Sequence, residues 1–193
     1  MSKSILIFLA AAIQSVHAFP IQPEKGKTEF LAVGRPSALK INGKGSGPSG
    51  ELKFSKAGAD DMLLDGEVDM DLSSFDTGIG MRDRHMKEKY LEVEKFKTAK
   101  LKFQGVKIPK SVLESGGSLN VPAMLSLHGI EKPVEVVISL NAKGETLISS
   151  SKFKLKLTDY AIEVPKFSGI TVADEVEVTA QTEVARASFK EEL

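Results

Sequence analysis

The chain reads Ser73-Ser74-Phe75-Asp76-Thr77-Gly78 between a strand-like segment and a charged, helix-like one. Before this stretch, Val68, Met70 and Leu72 alternate with acidic residues, which is the period-two pattern of a strand with one wet face. After it, residues 81–90 predict one short helix that carries too many charges to be a core element. The stretch therefore predicts a strand, a turn and a lid-like helix in succession.

The same alternation recurs along the chain and predicts seven to nine antiparallel strands in all. Glycine clusters at residues 43–50 and 116–117 predict turns between them. A sheet of this kind can bury its apolar face in a sandwich or by closing into a barrel, and alternation alone does not distinguish the two. The further strand-like runs are Leu52/Phe54, Leu101/Phe103, Val134–Leu140, Phe153–Leu157 and Val176–Ala180.

Three blocks carry a resemblance to a known family. The first joins the Ser73–Gly78 turn to residues 82–86 and 94–103, the second covers residues 125–134, and the third covers residues 153–162. In this order, and over about residues 27–184, they resemble the YceI-like family of polyisoprenoid-binding proteins. The chain departs from the family pattern at Lys97, Leu157 and Ala161, where members have Pro, Arg and Gly.

The resemblance implies an all-β fold: an extended eight-stranded antiparallel lipocalin-like barrel with one short helix over it and an internal apolar tunnel. About eight strands leave an interior just wide enough for one slender ligand, if inward side chains do not fill it. The implied function is non-enzymatic binding, carriage or sequestration of a polyisoprenoid lipid, either quinone-like or a polyprenyl phosphate. No cofactor is implied.

Inward positions of the predicted strands are the candidates for the tunnel wall. An apolar wall selects a hydrocarbon by burying its surface, at roughly 25 cal/mol per Å², and the ordering of a flexible tail offsets part of this gain. A filled barrel and a hollow one share this sequence pattern, so each candidate could equally belong to a packed core. The candidates are Val68, Met70, Leu72, Leu101, Phe103, Leu125, Leu127, Val136, Ile138, Phe153, Leu155, Val176 and Val178.

Polar candidates surround the predicted turn and helix. Arg82 could meet a polar ligand head, such as a quinone oxygen or a pyrophosphate. The alternative is that Arg82 and Asp83 take part in an ion pair that fixes the helix to the barrel. The candidates for a polar rim or lid are Asp76, Arg82, Asp83, His85, His128 and Asp159.

Two other functions remain open at this level. One is binding of a different slender amphiphile, such as a fatty acid or fatty amide. The other is a metal-assisted hydrolase that uses His85 and His128 with Asp76 or Asp83, because imidazole and carboxylate are reasonable metal ligands. The spacing of these residues carries no metal signature, and no glycine elbow accompanies Ser126 and His128. We therefore predict a protein that is not an enzyme, with no catalytic residue and no metal.

The N-terminal residues predict export. Lys3 precedes an apolar run over residues 5–13, and Val16-His17-Ala18 offers small residues where a signal peptidase reads. We predict a signal peptide over residues 1–18, since nine apolar residues fall short of the roughly 20 that cross a bilayer. Residues 19–193 then form a single domain, secreted and most compatible with a bacterial periplasm. The chain has no cysteine, which excludes a lipoprotein anchor and disulfides.

Charge is balanced, with 26 basic and 26 acidic residues. Lysines are interleaved with acids, whereas a nucleic-acid or anionic-membrane binder normally shows a basic excess or patch. We therefore expect no nucleic-acid partner. A homodimer through an exposed strand edge or sheet face stays possible, and the C-terminal residues 190–193 are interpreted as a solvated charged tail rather than a retention signal.

Overall fold

One antiparallel β-sheet dominates the computed structural model, which describes residues 17–35, 39–167 and 170–185. Helix α1 (Gly80–His85) continues as a π-helical stretch over Met86–Tyr90, and α2 (Lys110–Ser115) is a second short helix. None of the helices in these ranges is long and apolar enough to cross a membrane. The strands are β1 (His17–Ile21), β2 (Gly26–Arg35), β3 (Lys40–Ser46), β4 (Ser49–Lys56), β5 (Asp61–Asp71), β6 (Thr98–Pro109), β7 (Gly117–Leu127), β8 (Ile130–Lys143), β9 (Thr146–Lys156), β10 (Lys166–Phe167) and β11 (Ile170–Ala185).

The strands follow the order β1-β4-β5-β6-β7-β8-β9-β11-β2-β3, and β10 pairs with the start of β11 beside this path. The all-β prediction is confirmed, but the number of strands was wrong. In the described part of the chain ten strands form the path, not eight. Two of the unpredicted strands are β1, which pairs with β4, and β3, which pairs with β2.

The sheet curls on itself and is joined where β3 meets the segment that follows β5. The backbone N–H of Lys44 donates to the carbonyl of Asp76 at 2.9 Å, and the N–H of Asp76 donates back to Lys44 at 2.8 Å. Ser74 reinforces this junction because its Oγ accepts from the N–H of Ser46 at 3.0 Å. A lipocalin-like barrel therefore describes the architecture, with this junction beside α1.

Strand β3 was predicted as a turn because of its glycines, and that prediction was wrong. A Cβ on Gly43 would lie 2.0 Å from the ring of Phe30, and one on Gly45 would lie 3.1 Å from the ring of Phe75. The two rings pack edge to face, with centroids 5.2 Å apart. Glycine is needed here because aromatic side chains lie directly on the strand, not because the chain reverses.

The barrel interior is packed with side chains at the end that carries α2. Leu101 and Val121 are about 1 % exposed and Val136 is fully buried. Helix α2 contacts β6, β7 and β8 at this end and buries Leu113. This half of the molecule is thus an ordinary close-packed core.

The predictions of a helix and of a signal peptide have different outcomes. The predicted helix over residues 81–90 is confirmed as α1 and its π-helical continuation. The predicted signal peptide falls mostly on residues 1–16, which lie outside the described residues, so its cleavage stays a prediction. His17 and Ala18 begin β1 and pair with Phe54 and Lys53.

Adjacent positions on β8 provide a test of the packed half. Val136 is fully buried and Val137 is 40 % exposed. Val136→Thr places a hydroxyl in the core at nearly constant shape and should lower the free energy of unfolding by about 1–3 kcal/mol. Val137→Thr should leave it within about 0.5 kcal/mol. Urea unfolding measures both, and equal effects would contradict this assignment of the two faces.

Candidate functional site

A cavity of about 450 Å³ occupies the end of the barrel that carries α1. This volume lies within the roughly 300–1,000 Å³ that is usual for small-molecule sites. Strands β2, β3, β5, β6, β7, β9 and β11 contribute apolar side chains to its wall. Because the opposite end of the barrel is packed, the cavity is a blind pocket rather than a through-tunnel.

Strand register builds the wall as rows of cross-strand neighbours. One row joins Phe153, Val178 and Phe30, which face one another across β9, β11 and β2 and end at Gly43 of β3. The next row toward α1 joins Leu155, Val176, Ala32 and Ile41. Each of these side chains lines the cavity, whereas the following row on the other side, which includes Thr28 and Ala180, does not. The Phe153 row therefore forms the floor.

Large apolar side chains stand exposed where the cavity opens. Ile79 is 54 % exposed, Met81 is 62 % exposed and Leu39 is 38 % exposed, and all three line the cavity. Ile79 and Met81 flank the start of α1, and Leu39 lies just before β3. The mouth of the cavity is thus bordered by hydrocarbon that is partly in contact with water.

The polar side chains of the lining also lie at this mouth. They belong to Thr77, Arg82, His85, Tyr90 and Lys166, and no aspartate or glutamate lines the cavity among the described residues. Arg82 donates from Nε to the Thr77 hydroxyl and from Nη2 to the Thr77 carbonyl, both at 2.8 Å. A guanidinium has five N–H donors, so Arg82 retains donors beyond those that hold it to the turn.

Asp83 fixes the turn from the other side. Its Oδ1 accepts from the Thr77 N–H at 2.8 Å and also from the Thr77 hydroxyl. Burial raises the pKa of Asp83, but the hydrogen bonds from Thr77, together with Asp76 and the Lys87 ammonium, hold the pKa below its usual value. Asp76 Oδ1 accepts from the Gly78 N–H at 2.6 Å, which closes an Asx-turn. The turn that presents Arg82 is therefore rigidly hydrogen-bonded.

His128 connects three segments of the chain through its side-chain contacts. Its Nδ1 lies 3.1 Å from the Tyr160 carbonyl and its Nε2 lies 3.0 Å from Glu92 Oε2. Both partners are acceptors, so the imidazolium form can donate to both. Its ring packs on Phe96 with centroids 4.4 Å apart. His128 thus links the β7–β8 turn to the segment after α1 and to the one after β9.

The predicted tunnel residues fall into two groups, those that line the cavity and those that do not. Eight of the thirteen line the cavity: Met70, Leu72, Leu125, Leu127, Phe153, Leu155, Val176 and Val178. The other five belong to the packed core and not to the cavity wall: Val68, Leu101, Phe103, Val136 and Ile138. These five side chains are buried without bordering the cavity, and Val136 among them is the register partner of Phe153 in the floor row. Contact of any of the eight with a ligand stays a prediction.

Of the predicted rim residues, Arg82 and His85 line the cavity. Asp76 and Asp83 do not line it and instead hydrogen-bond the turn. His128 is engaged by Glu92 and Tyr160, and Asp159 accepts from Lys132 Nζ at 3.0 Å. Arg82 is held by hydrogen bonds to Thr77, which differs from the ion pair considered above. Within the described ranges no three His, Asp or Glu side chains are grouped so that they could hold a metal ion.

Sequence reasoning missed about two thirds of the residues that line the cavity. Phe30 and Phe75 were overlooked because the alternation on β2 is weak and β3 was taken as a turn; the spaced glycines of β3 were the available signal. Leu157 ends the alternating Phe153–Leu157 run but was not taken as a cavity candidate, whereas Ile162 lies after the last residue of that run and carries no periodic signal. The other missed residues are Ala32, Leu39, Ile41, Thr77, Ile79, Met81, Met86, Tyr90, Leu91, Ala99, Pro165, Lys166, Ile170 and Val172.

The model of the YceI-like domain matches residues 19–184, which is most of the chain. This chain belongs to the YceI-like family. Among curated proteins, none matches it in sequence. The family assignment agrees with the β-barrel architecture described above.

Solved structures share the fold of this YceI-like chain. Burkholderia cenocepacia BcnA superposes with a TM-score of 0.68 at 20 % identity, covering 86 % of this chain and 99 % of BcnA. A polyisoprenoid binding domain from Saccharophagus degradans, implicated in plant cell wall breakdown, gives 0.60 at 15 %, covering 86 % and 97 %. The Campylobacter jejuni YCEI protein gives 0.56 at 15 %, covering 75 % and 84 %. At these identities the likeness establishes the fold.

The Glu92–His128 contact generates a pH prediction. The Lys95 ammonium and then the His128 ring hold the pKa of Glu92 below its usual 4.5. A carboxylate with a lowered folded pKa stabilises the protein above its unfolded pKa, and this contribution is lost as pH falls through the folded value. Glu92→Gln should therefore flatten the decline in unfolding free energy below about pH 4.5, compared with the native chain.

Urea unfolding at a series of pH values measures this slope. The exposed neighbour Glu94 provides the control, because Glu94→Gln removes a carboxylate two residues away outside the His128 contact. The interpretation would be wrong if both variants changed the acid slope to the same extent.

Proposed function

We propose that this YceI-like protein binds a polyisoprenoid lipid in the blind cavity and carries or sequesters it without transforming it. The observation that carries the proposal is the separation of chemistry within the cavity: its floor and walls are apolar, and its polar side chains lie at the mouth. A molecule with a long hydrocarbon tail and one polar end fits this separation. Its tail would enter first and its head would stay beside α1.

Hydrocarbon burial supplies the affinity in this proposal. At roughly 25 cal/mol per Å², a tail that buries a few hundred Å² gains several kcal/mol before the cost of ordering is subtracted. Branched and aromatic wall side chains such as Val176, Val178 and Phe153 present methyl groups and ring faces to that tail. The floor would limit how much of a longer chain enters, so the remainder would extend through the mouth.

The side chains at the mouth favour a ligand whose polar head group accepts hydrogen bonds, above all an anionic head group. Arg82 is held in place by Thr77 while further guanidinium N–H groups remain available, and a bidentate guanidinium–phosphate contact is among the stronger hydrogen-bonded pairs. Among the two lipid types considered, this supports a polyprenyl phosphate over a quinone. The same feature supports a fatty acid as the second candidate, since its carboxylate could take the same place.

The proposed site of action is outside the cytoplasm, most simply a bacterial periplasm. The support is the signal-like sequence at residues 1–18 and a chain without cysteine. A non-enzymatic role is supported by the positions of the two histidines. His128 is committed to Glu92 and Tyr160, and the rim position of His85 suits contact with a ligand head.

Co-purified lipid tests the proposal directly. The protein from Phe19 onward would be purified without detergent, and its organic extract analysed by mass spectrometry beside the native mass of the intact complex. A stoichiometric isoprenoid is expected. An extract dominated by fatty acid would favour the second candidate, and a folded protein that stays empty when offered prenyl lipids would refute both.

Two buried alanines give a matched test of the cavity. Ala32 and Ala123 are each 5 % exposed, but only Ala32 lines the cavity. Ala32→Phe should fill the cavity, reduce bound lipid severalfold and leave the unfolding free energy unchanged or higher. Ala123→Phe should overpack the core and lower the unfolding free energy by about 1–3 kcal/mol. Lipid-to-protein ratio and urea unfolding measure the two effects, and full lipid retention by Ala32→Phe would contradict the assignment.

The role of Arg82 is tested with two ligands that differ only in the head: geranylgeranyl phosphate and geranylgeraniol. Arg82→Gln should weaken binding of the phosphate by about tenfold and that of the alcohol much less, because hydrogen bonds to charged groups contribute about 1.5–3 kcal/mol. The exposed neighbour Arg84, which does not line the cavity, supplies the control Arg84→Gln. Equal losses for both ligands would mean that Arg82 acts only by supporting the turn.

A further inference from the structure

Exposed hydrocarbon in this protein is concentrated at one place. Within the described ranges four large hydrophobic side chains are exposed, and three of them, Leu39, Ile79 and Met81, border the mouth of the cavity. The fourth, Val137, lies on β8 away from the cavity. Contiguous exposed apolar surface with a polar surround marks an interaction site more often than chance exposure does.

Basic side chains surround this apolar rim. The segment 79–90 has Arg82, Arg84, Lys87 and Lys89 against Asp83 and Glu88, in a chain whose full complement of charges is balanced at 26 basic and 26 acidic residues. On the other side of the mouth, the exposed Arg35 and Lys40 flank Leu39 in sequence. Basic side chains from two separate segments of the chain therefore lie near the mouth of the cavity, although basic and acidic residues are interleaved in the sequence as a whole.

The acidic members of the segment offset only part of this charge. Asp83 accepts hydrogen bonds from the Thr77 N–H and hydroxyl, and its carboxylate also interacts with the Lys87 ammonium. Lys89 lies 3.8 Å from Glu163, so this lysine is partly compensated. Together the segments 35–40 and 79–90, which contain the three apolar side chains, carry six basic residues against two acidic ones.

We propose that the mouth of the cavity docks on the surface of a bilayer that contains anionic lipids. Leu39, Ile79 and Met81 enter the interfacial layer, and the surrounding Arg and Lys side chains lie near lipid phosphates. Apolar side chains with flanking basic groups are the combination that holds peripheral proteins at such interfaces. This goes beyond the proposed function, because it assigns a surface and a partner to the open end of the barrel.

The position of the docking surface explains how an insoluble ligand could reach a blind cavity. Hydrocarbon that passes from a membrane into the mouth never has to cross water, since the apolar rim is continuous with the cavity wall. A second copy of the chain is a poorer occupant. A twofold contact through this surface would bring the same basic surface of two copies together, and apposition of like charge opposes association.

Vesicle flotation tests the proposal with the full folded protein. Two vesicle types would be compared: phosphatidylcholine alone, and phosphatidylcholine with phosphatidylglycerol. The protein is expected to float with the anionic vesicles, much less with the neutral ones, and less with both as salt is raised. Absence of flotation with anionic vesicles at low salt would overturn the proposal.

Substitutions at the rim, with matched controls, locate the surface. Arg84→Gln with Lys87→Gln should lower partitioning onto anionic vesicles by about tenfold or more, given the contribution of each basic residue near such a surface. Lys107→Gln with Lys143→Gln removes the same charge from exposed positions at the opposite end and should have little effect. Ile79→Ser with Met81→Ser should lower partitioning to both vesicle types, whereas Val137→Ser should not. Equal losses in the paired controls would overturn the assignment of the surface.

Failure of docking and failure of lipid binding are separable. Co-purified lipid is measured in the Arg84→Gln, Lys87→Gln variant, whose substituted residues do not line the cavity. Lipid retained by a protein that never binds vesicles refutes docking alone, and vesicle binding by an empty protein refutes the proposed cargo alone. Sedimentation that reveals a dimer abolished by Ile79→Ser with Met81→Ser, without vesicle binding, would assign the surface to a second copy instead.

Discussion

The backbone pairing of Lys44 with Asp76 is the constraint on which the mouth of the barrel depends. It joins β3 to the segment after β5, and so places Phe30 and Phe75 on the same wall of the cavity. Asp76 is also the first residue of the hydrogen-bonded turn that continues through Thr77 to Arg82 and Asp83. Closure of the sheet and presentation of the cavity's polar groups are therefore one arrangement, and a change at the junction would affect both.

Period-two alternation proposed an inward face for the strands that it identified, with Met70, Leu125 and Val136 among the inward candidates, and these three side chains are buried. The helix α1 was predicted from different features, a turn followed by a charged segment that does not alternate. These successes share a cause, because alternation and turn chemistry are local properties of the chain. The β-barrel itself came from resemblance to a family, since a sandwich buries the same pattern equally well.

What the sequence did not reveal depends on distant pairing. Val136 and Phe153 are register partners with the same inward orientation, yet only Phe153 lines the cavity. The difference is set by what fills the space opposite each side chain, which no local pattern encodes. Ala161 is a second case: it ends the turn after β9 with a φ of 54°, a left-handed conformation that favours glycine. This chain retains the conformation because buried Tyr160 and Ile162 anchor both sides.

The floor formed by the Phe153 row separates the packed half of the barrel from the half that contains the cavity. Below it, close packing fixes the fold; above it, side chains such as Leu155 and Val172 border space rather than one another. Exchange of one apolar residue for another is tolerated far better where no cavity must be opened or overfilled. Side chains above the floor can therefore change in size and shape at less cost to the fold than those in the packed half, and the fold itself is still shared at identities as low as 15 %.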